Sequence, residues 1–216
     1  MQVKFEHPFS MLVAGGRGAG KTEFTKKLLT HRNECIDATI KRVVWLYAKH
    51  QSNLYADLLE IDDNIEYING ITDNLESNFD SNVTNLLILD DLMEEGSKNK
   101  EIQSLFTRGR HLNLSIIFLT QNLFHKEQRV ISLNSDYMVI FKNPRDKSQF
   151  TNLARQVMPR NKKFLEDAFD DAVKSPHGYL FLDLKPSTND RFRVRTRVLP
   201  HNERKTNIQY QILYTQ

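Results

Sequence analysis

A phosphate-binding loop near the amino terminus is the sequence feature with the clearest chemistry. Residues 15–22 read Gly-Gly-Arg-Gly-Ala-Gly-Lys-Thr and fit the pattern G-x-x-x-x-G-K-[ST] in full. In such a loop, backbone N–H groups surround the phosphates, Lys21 can reach the β and γ phosphates, and the Thr22 hydroxyl can ligate Mg²⁺. The residues expected to bind the nucleotide are Gly15, Gly16, Arg17, Gly18, Ala19, Gly20, Lys21, Thr22 and Glu23. The motif therefore predicts a nucleoside triphosphate as ligand.

A second motif combines a buried strand with two acids. Residues 86–91 read Leu-Leu-Ile-Leu-Asp-Asp, at the spacing of a Walker B motif downstream of the phosphate loop. Two carboxylates at a strand tip repel each other unless a cation lies between them. We expect Asp90 to hold Mg²⁺ and Asp91 to polarise the attacking water as catalytic base. The alternative is a strand that simply runs into an acidic loop.

Polar residues also flank another apolar segment, residues 115–119. Gln121 follows it and is placed to sense the γ phosphate or to orient water, although Thr120 and Gln121 could equally cap a strand end. Arg108 and Arg110 precede it at the end of a predicted helix, where arginines are ordinarily solvated. Either arginine fits a finger that completes a neighbouring subunit's site, and we favour Arg110.

Alternating strands and helices predict an α/β fold with a mainly parallel central sheet. Strands are expected near residues 10–14, 42–48, 86–89, 115–119 and 137–141, and helices near 21–31, 53–59, 100–108, 147–157 and 161–174. Residues 70–83 indicate a loop or weak helix, whereas residues 179–183 and 192–198 predict a small β-hairpin. We expect one domain over residues 1–216, with a nucleotide-binding core to about residue 145 and a helical and β extension from about 146.

Composition excludes several classes of protein. The 216 residues contain one cysteine, Cys35, which rules out an intrachain disulfide and a cysteine-based zinc cluster. No segment approaches the roughly 20 apolar residues of a membrane span, and the first residues lack the apolar core of a signal peptide. We therefore expect a soluble, intracellular protein without a membrane span.

Charge is unevenly distributed along the chain. Residues 1–144 carry 16 Lys/Arg and 19 Asp/Glu (net −3), residues 145–216 carry 14 and 8 (net +6), and residues 50–97 contain no Lys or Arg. Arginines occupy every second position at Arg191, Arg193, Arg195 and Arg197. A strand would display all four on one face, where they could follow a DNA backbone. An edge strand charged against aggregation would carry the same pattern.

Together, the phosphate loop, the Asp90-Asp91 pair, the Arg108–Arg110 segment and the Thr120-Gln121 strand end resemble the viral genome-packaging ATPases of the FtsK/HerA superfamily. The compact enzymes of poxvirus-like, Polinton-like and adenovirus-like double-jelly-roll viruses are the most similar. Residues 141–147 and 179–183 also resemble that family, so the likeness covers most of the chain.

The resemblance implies a RecA-like (ASCE) P-loop fold and a homo-oligomeric ring, often a hexamer. It implies hydrolysis of ATP with Mg²⁺ to pull double-stranded DNA into a preformed capsid. The implied setting is the infected host cell and the virion, with a capsid or portal vertex protein as partner. One departure is the second acid, which is Asp91 where many ATPases have Glu, so that Glu94 or Glu95 could be the base instead.

Other P-loop proteins fit less well. A small GTPase needs Asn-Lys-x-Asp, which is absent, and an AAA+ protein would carry a helical lid where this tail indicates β structure. A nucleoside or nucleotide kinase would usually add an Arg-rich lid. A helicase or a conjugative or plasmid DNA pump is the closest alternative, and a scaffold that does not hydrolyse ATP is disfavoured by the paired acids.

Overall fold

A single mixed sheet organises the chain. The computed structural model describes residues 4–72, 74–92, 99–123, 129–146, 148–200 and 212–213. Within these ranges nine strands pair in the order β3-β2-β4-β5-β1-β6-β7-β8-β9. Their bounds are β1 (Ser10–Ala14), β2 (Arg42–Tyr47), β3 (Glu66–Asn69), β4 (Asn85–Asp90), β5 (Leu114–Thr120), β6 (Tyr137–Phe141), β7 (Tyr179–Asp183), β8 (Val194–Thr196) and β9 (Ile212–Leu213).

Helices cover both faces of this sheet. They are α1 (Lys21–Thr30), α2 (Arg32–Cys35), α3 (Ser52–Ile61), α4 (Asn99–Arg108), α5 (Arg129–Leu133), α6 (Ser148–Val157) and α7 (Lys162–Ala172). Short 3₁₀ segments occur at Leu75–Asn78, Gly109–Leu112, Pro159–Asn161 and Asp190–Phe192. None of the described helices is long and apolar enough to cross a bilayer.

The strands from β3 to β6 are all parallel, and β7 to β9 continue the sheet in antiparallel pairing. Every residue of β1 and β5 is buried, because helices cover both faces of a parallel sheet. Phe24 and Leu28 of α1 pack on one face with Trp45. The helices α4, α6 and α7 pack on the other face.

The predicted α/β architecture is confirmed, and β1 and β6 have the predicted bounds. The strand β3 was not predicted, because its residues are half-exposed and form no apolar run. The predicted hairpin is present as β7 and β8, in which Phe181 pairs with Arg195. Cys35 is buried, which raises the pKa of its thiol to about 12.

The prediction of a single strand displaying four arginines on one face is wrong. Residues Asp190–Phe192 form a 3₁₀ turn and β8 begins only at Val194, so Arg191 lies outside the strand. Arg195 is 1% exposed and forms a buried ion pair with Asp183 at 3.3 Å. The chain leaves the strand at Arg197, whose φ of 54° is left-handed. A carboxylate inside the sheet therefore draws one arginine inward.

Candidate nucleotide-binding site

The carboxyl ends of three neighbouring parallel strands converge on the phosphate loop. The strands lie in the order β4-β5-β1, with Ala14 opposite Thr120 and Leu119 opposite Asp90. The Gly15 N–H donates to the Thr120 carbonyl at 3.2 Å, which joins the loop to the end of β5. Ligands of parallel α/β sheets bind at this edge.

The loop itself depends on its glycines. Gly18 and Gly20 have φ values of 72° and 113°, which residues with a Cβ rarely adopt. A Cβ on Gly15 would lie 2.6 Å from Cβ of Phe141, so only glycine fits between the loop and β6. The helix α1 then begins at Lys21 and directs its amino-terminal N–H groups toward the loop.

Lys21 lies folded over the loop. Its Nζ donates to the carbonyl oxygens of Gly15 at 2.7 Å and Gly16 at 3.2 Å. Burial lowers the pKa of the Lys21 ammonium, while the charges of Asp91 and Asp90 oppose that shift. The cation is therefore held between the loop carbonyls and the two acids, where phosphate oxygens can accept hydrogen bonds from it.

Other predicted contacts of the nucleotide surround Lys21. Thr22 is partly buried in the first turn of α1, whereas Arg17 and Glu23 are exposed. Glu23 pairs with Lys26 at 2.7 Å along the helix surface. The loop thus presents backbone N–H groups and the Thr22 hydroxyl, with charged side chains at its rim.

Asp90 has the environment of a cation ligand. Burial and the neighbouring charge of Asp91 raise the pKa of Asp90 to about 6, and the charge of Lys21 acts in the opposite direction. Its Oδ2 is buried and accepts no hydrogen bond from the described residues. An unpartnered carboxylate oxygen fits Mg²⁺. The described part of the chain contains no cluster of three His, Cys, Asp or Glu that could hold a metal ion.

Asp91 lies beyond the strand and faces solvent. Its φ of 57° is left-handed, and its N–H donates to the Leu119 carbonyl at 3.2 Å. The Gln121 side chain donates from Nε2 to Asp91 Oδ2 at 2.7 Å. The two side chains therefore form a unit that can bind a water molecule and accept its proton. Glu94 and Glu95, the alternative bases, lie outside the described residues.

The two candidate finger arginines lie near the amino end of β5, whereas the nucleotide site lies at its carboxyl end. Both precede β5, whereas Gln121 follows it, and seven strand residues span roughly 20 Å. The Arg110 side chain is 67% exposed and is ion-paired with the buried carboxylate of Asp136. Arg108 is exposed and makes no ion pair with any described residue. Neither arginine can reach the nucleotide of its own chain.

Two residues beside the loop were not predicted from the sequence. Asn143 follows β6, and its Oδ1 lies 3.5 Å from the position that a Cβ on Gly16 would take. The sequence held a signal for it, because β6 is an apolar segment whose end must lie beside β1. His177 Nδ1 lies 3.2 Å from the Ala19 carbonyl oxygen, across 158 residues of sequence, and no local pattern indicates that contact.

Comparisons with known proteins agree with this geometry. Residues 2–166, more than half of the chain, match the family described as Poxvirus A32 protein. Among curated protein sequences, none is a significant match to this chain.

The solved structures that share the fold include the following two. One is the genome packaging NTPase B204 of Sulfolobus turreted icosahedral virus 2, in complex with ATP-γ-S. The sequences are 15% identical, the match covers 87% of this chain and 95% of that chain, and the TM-score is 0.56. The other is the cytoplasmic domain of the type VII secretion ATPase EccC of Thermomonospora curvata, with 15% identity, 87% and 25% coverage, and a TM-score of 0.54.

These likenesses, at low identity, bear on the fold, whereas the family match bears on the chain's identity. The family accounts for the phosphate loop and for the acids at the end of β4, both of which lie within the matched residues. The chain thus belongs to the poxvirus A32 family and is an ATPase.

Proposed function

We propose that this protein is an ATP-driven motor that moves double-stranded DNA and packages a viral genome into a preformed capsid. The observation that carries the proposal is a phosphate loop beside paired acids at the end of β4, in a chain that matches the A32 family over residues 2–166. The likeness to a packaging NTPase from another virus supports it, since 95% of that chain is covered. The infected cell and the virion are the corresponding locations, and a capsid or portal vertex protein is the corresponding partner.

The site residues divide the chemistry among themselves. Lys21 and the loop N–H groups bind the phosphates, while Thr22 and Asp90 hold Mg²⁺, which neutralises charge on the phosphates. Asp91 takes the proton of the attacking water, and Gln121 holds Asp91 in position at 2.7 Å. Water attacks the γ phosphate in line with the leaving ADP oxygen, and the charge that develops requires a further cation.

We assign that cation to a neighbouring subunit. Arg108 and Arg110 are exposed near the amino end of β5. The length of β5, roughly 20 Å, separates them from the nucleotide site of their own chain. A guanidinium can stabilise charge on the transferred phosphoryl group when a second copy docks this end of β5 against the site. This arrangement supports a homo-oligomer with shared sites.

The two lateral edges of the sheet differ in charge. The acidic stretch 50–97 contributes the edge strand β3, whereas the basic carboxy-terminal third forms the opposite edge through β8 and β9. The exposed arginines Arg191 and Arg197 are available at the basic edge for a partner or for DNA phosphates.

Steady-state ATP hydrolysis across a salt series, with and without double-stranded DNA, tests this function. We expect stimulation by DNA that weakens with salt, because phosphate contacts release counterions. Lys21→Ala should abolish hydrolysis. Arg108→Ala and Arg110→Ala subunits should each be mixed with wild-type subunits and the ATP hydrolysis of the mixtures measured. The variant that lacks the finger arginine should lower hydrolysis by more than its fraction of the subunits.

The same experiment separates the alternatives. Hydrolysis that is indifferent to DNA, or phosphoryl transfer to a nucleoside, would contradict the motor and favour a kinase. Unwinding of a forked duplex by the protein would favour a helicase. DNA-dependent ATP hydrolysis that is the same with and without capsid proteins would favour another DNA pump.

A further inference from the structure

A cavity of about 660 Å³ adjoins the phosphate loop on the side away from Asp90 and Asp91. It lies beyond β1 toward β6 and β7, whereas the two acids lie at the end of β4 on the other side of the loop. Gly20 and Glu23 form the wall shared with the nucleotide site. Volumes of this size hold small organic ligands.

The orientation of a bound triphosphate leads into this cavity. The charges of Asp90 and Asp91 act on Lys21 from the β4 side of the loop, so we expect the γ end of a bound triphosphate on that side. The α phosphate then lies over the first turn of α1, at Glu23, and the nucleoside must leave the loop past that residue. The space that it meets there is the cavity.

Aromatic rings form the apolar part of the cavity wall. Phe24 of α1, Phe141 at the end of β6 and Tyr179 at the start of β7 form one cluster. The ring centroids of Phe24 and Tyr179 are 5.1 Å apart, and those of Phe141 and Tyr179 are 5.4 Å apart. A flat heterocyclic base suits a wall of this kind.

A rigid turn between α7 and β7 forms the rim. The Gly178 N–H donates to the Ser175 carbonyl at 3.0 Å, and a Cβ on Gly178 would lie 2.2 Å from the Ala172 carbonyl oxygen. His177 is therefore held in a left-handed conformation, with φ of 59°, and faces the loop. Residues of the turn have little freedom to move out of the way of a ligand.

His177 provides the polar contact. Its Nδ1 lies 3.2 Å from the Ala19 carbonyl oxygen, and because that oxygen can only accept, Nδ1 must carry the hydrogen. In the neutral ring Nε2 is then an acceptor, and it has no hydrogen-bond partner among the described residues. An acceptor at this point matches the 6-amino group of adenine and repels the 6-carbonyl oxygen of guanine.

We propose that this cavity binds the base of the nucleotide and that His177 Nε2 selects adenine over guanine. The inference rests on the nucleotide site of the proposed function and does not depend on DNA, on oligomerisation or on packaging.

Calorimetric titration of Mg²⁺ complexes of ATPγS, GTPγS and inorganic tripolyphosphate, without DNA, tests the proposal. Ser175→Trp introduces an indole at a residue that lines the cavity and lies outside the phosphate loop, and Ser187→Trp, in the exposed loop after β7, is the matched control. We expect Ser175→Trp to weaken ATPγS by about tenfold or more and to leave tripolyphosphate within about twofold, because only the base is displaced. Ser187→Trp should change neither affinity.

His177→Ala provides the second measurement. We expect the ratio of ATPγS to GTPγS affinity to fall by about tenfold while tripolyphosphate binding is kept. Unchanged ATPγS binding by Ser175→Trp, equal losses for ATPγS and tripolyphosphate, or an unchanged base preference in His177→Ala would overturn the proposal. Lys21→Ala should weaken all three ligands, and its failure to do so would instead overturn the nucleotide site itself.

Discussion

Gln121 Nε2 donates to Asp91 Oδ2 at 2.7 Å and so connects the ends of β5 and β4 across the nucleotide site. Both side chains are exposed, so the hydrogen bond contributes little to folding and chiefly fixes the direction of the carboxylate. Asp91 is one methylene shorter than the glutamate found in many ATPases, and a fixed orientation makes that shorter reach usable.

Gln121→Ala should lower kcat for ATP hydrolysis by about 10- to 100-fold and leave KM for ATP unchanged, because the substitution disorders the base without touching the phosphates. Gln121→Glu should be at least as inactive, since it places a second carboxylate beside Asp91. Steady-state kinetics with both variants checks this. A rise in KM with kcat intact would place Gln121 in ground-state binding instead.

Removing the charge at Asp90 should stabilise the protein at neutral pH in the absence of nucleotide and Mg²⁺. The pKa of Asp90 is raised to about 6 in the folded protein, from 3.8 for a free carboxyl group. As pH rises through these two pKa values, the unfolded state ionises first, so the folded state loses stability relative to it. We expect Asp90→Asn to gain almost nothing on the wild type near pH 4 and about 1–3 kcal/mol above roughly pH 6, where the gain becomes constant.

Urea unfolding in EDTA at several pH values measures this gain, and Asp91→Asn serves as the exposed control. Asp90→Asn should at the same time abolish Mg²⁺-dependent hydrolysis. A stability difference that does not vary with pH would contradict the assigned environment of the carboxylate.

Neighbouring glycines of the phosphate loop should respond differently to a methyl group. Gly15→Ala should destabilise the fold by about 1–3 kcal/mol and abolish nucleotide binding, because the new Cβ lies 2.6 Å from Phe141. In Gly16→Ala the nearest atom, Asn143 Oδ1, is 3.5 Å away, which is an ordinary contact. Thermal melting and ATPγS titration compare the two variants. Equal losses of stability and of ATPγS affinity in both would contradict the contact with Phe141 as the cause.

The buried pair in the hairpin should matter for stability. Arg195→Met leaves the Asp183 carboxylate uncompensated inside the sheet and should cost about 3–5 kcal/mol. The double variant with Asp183→Asn should recover part of that loss, and Arg191→Met at the surface should stay within about 0.5 kcal/mol of the wild type. Urea unfolding measures all three. An Arg195→Met variant as stable as Arg191→Met would contradict the buried placement.

Much of the site could be predicted because parallel strands impose the geometry. Once Asp90 and Thr120 are placed at strand ends, their convergence on the phosphate loop follows from the fold. The bounds of β1 and β6 were predictable because both are short apolar runs that are buried on both faces.

The remaining features depend on contacts that no local pattern contains. Alternation of residues assumes a strand with one solvent face, and in the hairpin that assumption fails because Asp183 draws Arg195 into the interior. The rim residue His177 reaches the loop only through the packing of α7 and β7. The edge strand β3 is half-exposed and lacks an apolar run, so its four residues give no clear periodicity.

All seven residues of β5 are buried, and the strand pairs with β1 on one side and β4 on the other. One end of it carries Gln121, which contacts the proposed base of its own site, and the other end carries the arginines assigned to the next site. A displacement along the strand axis would therefore change the geometry of two active sites at once. In the closed assembly proposed above, ATP hydrolysis in one subunit would change the geometry of the active site in the next subunit. The subunits would then hydrolyse ATP in sequence around the ring.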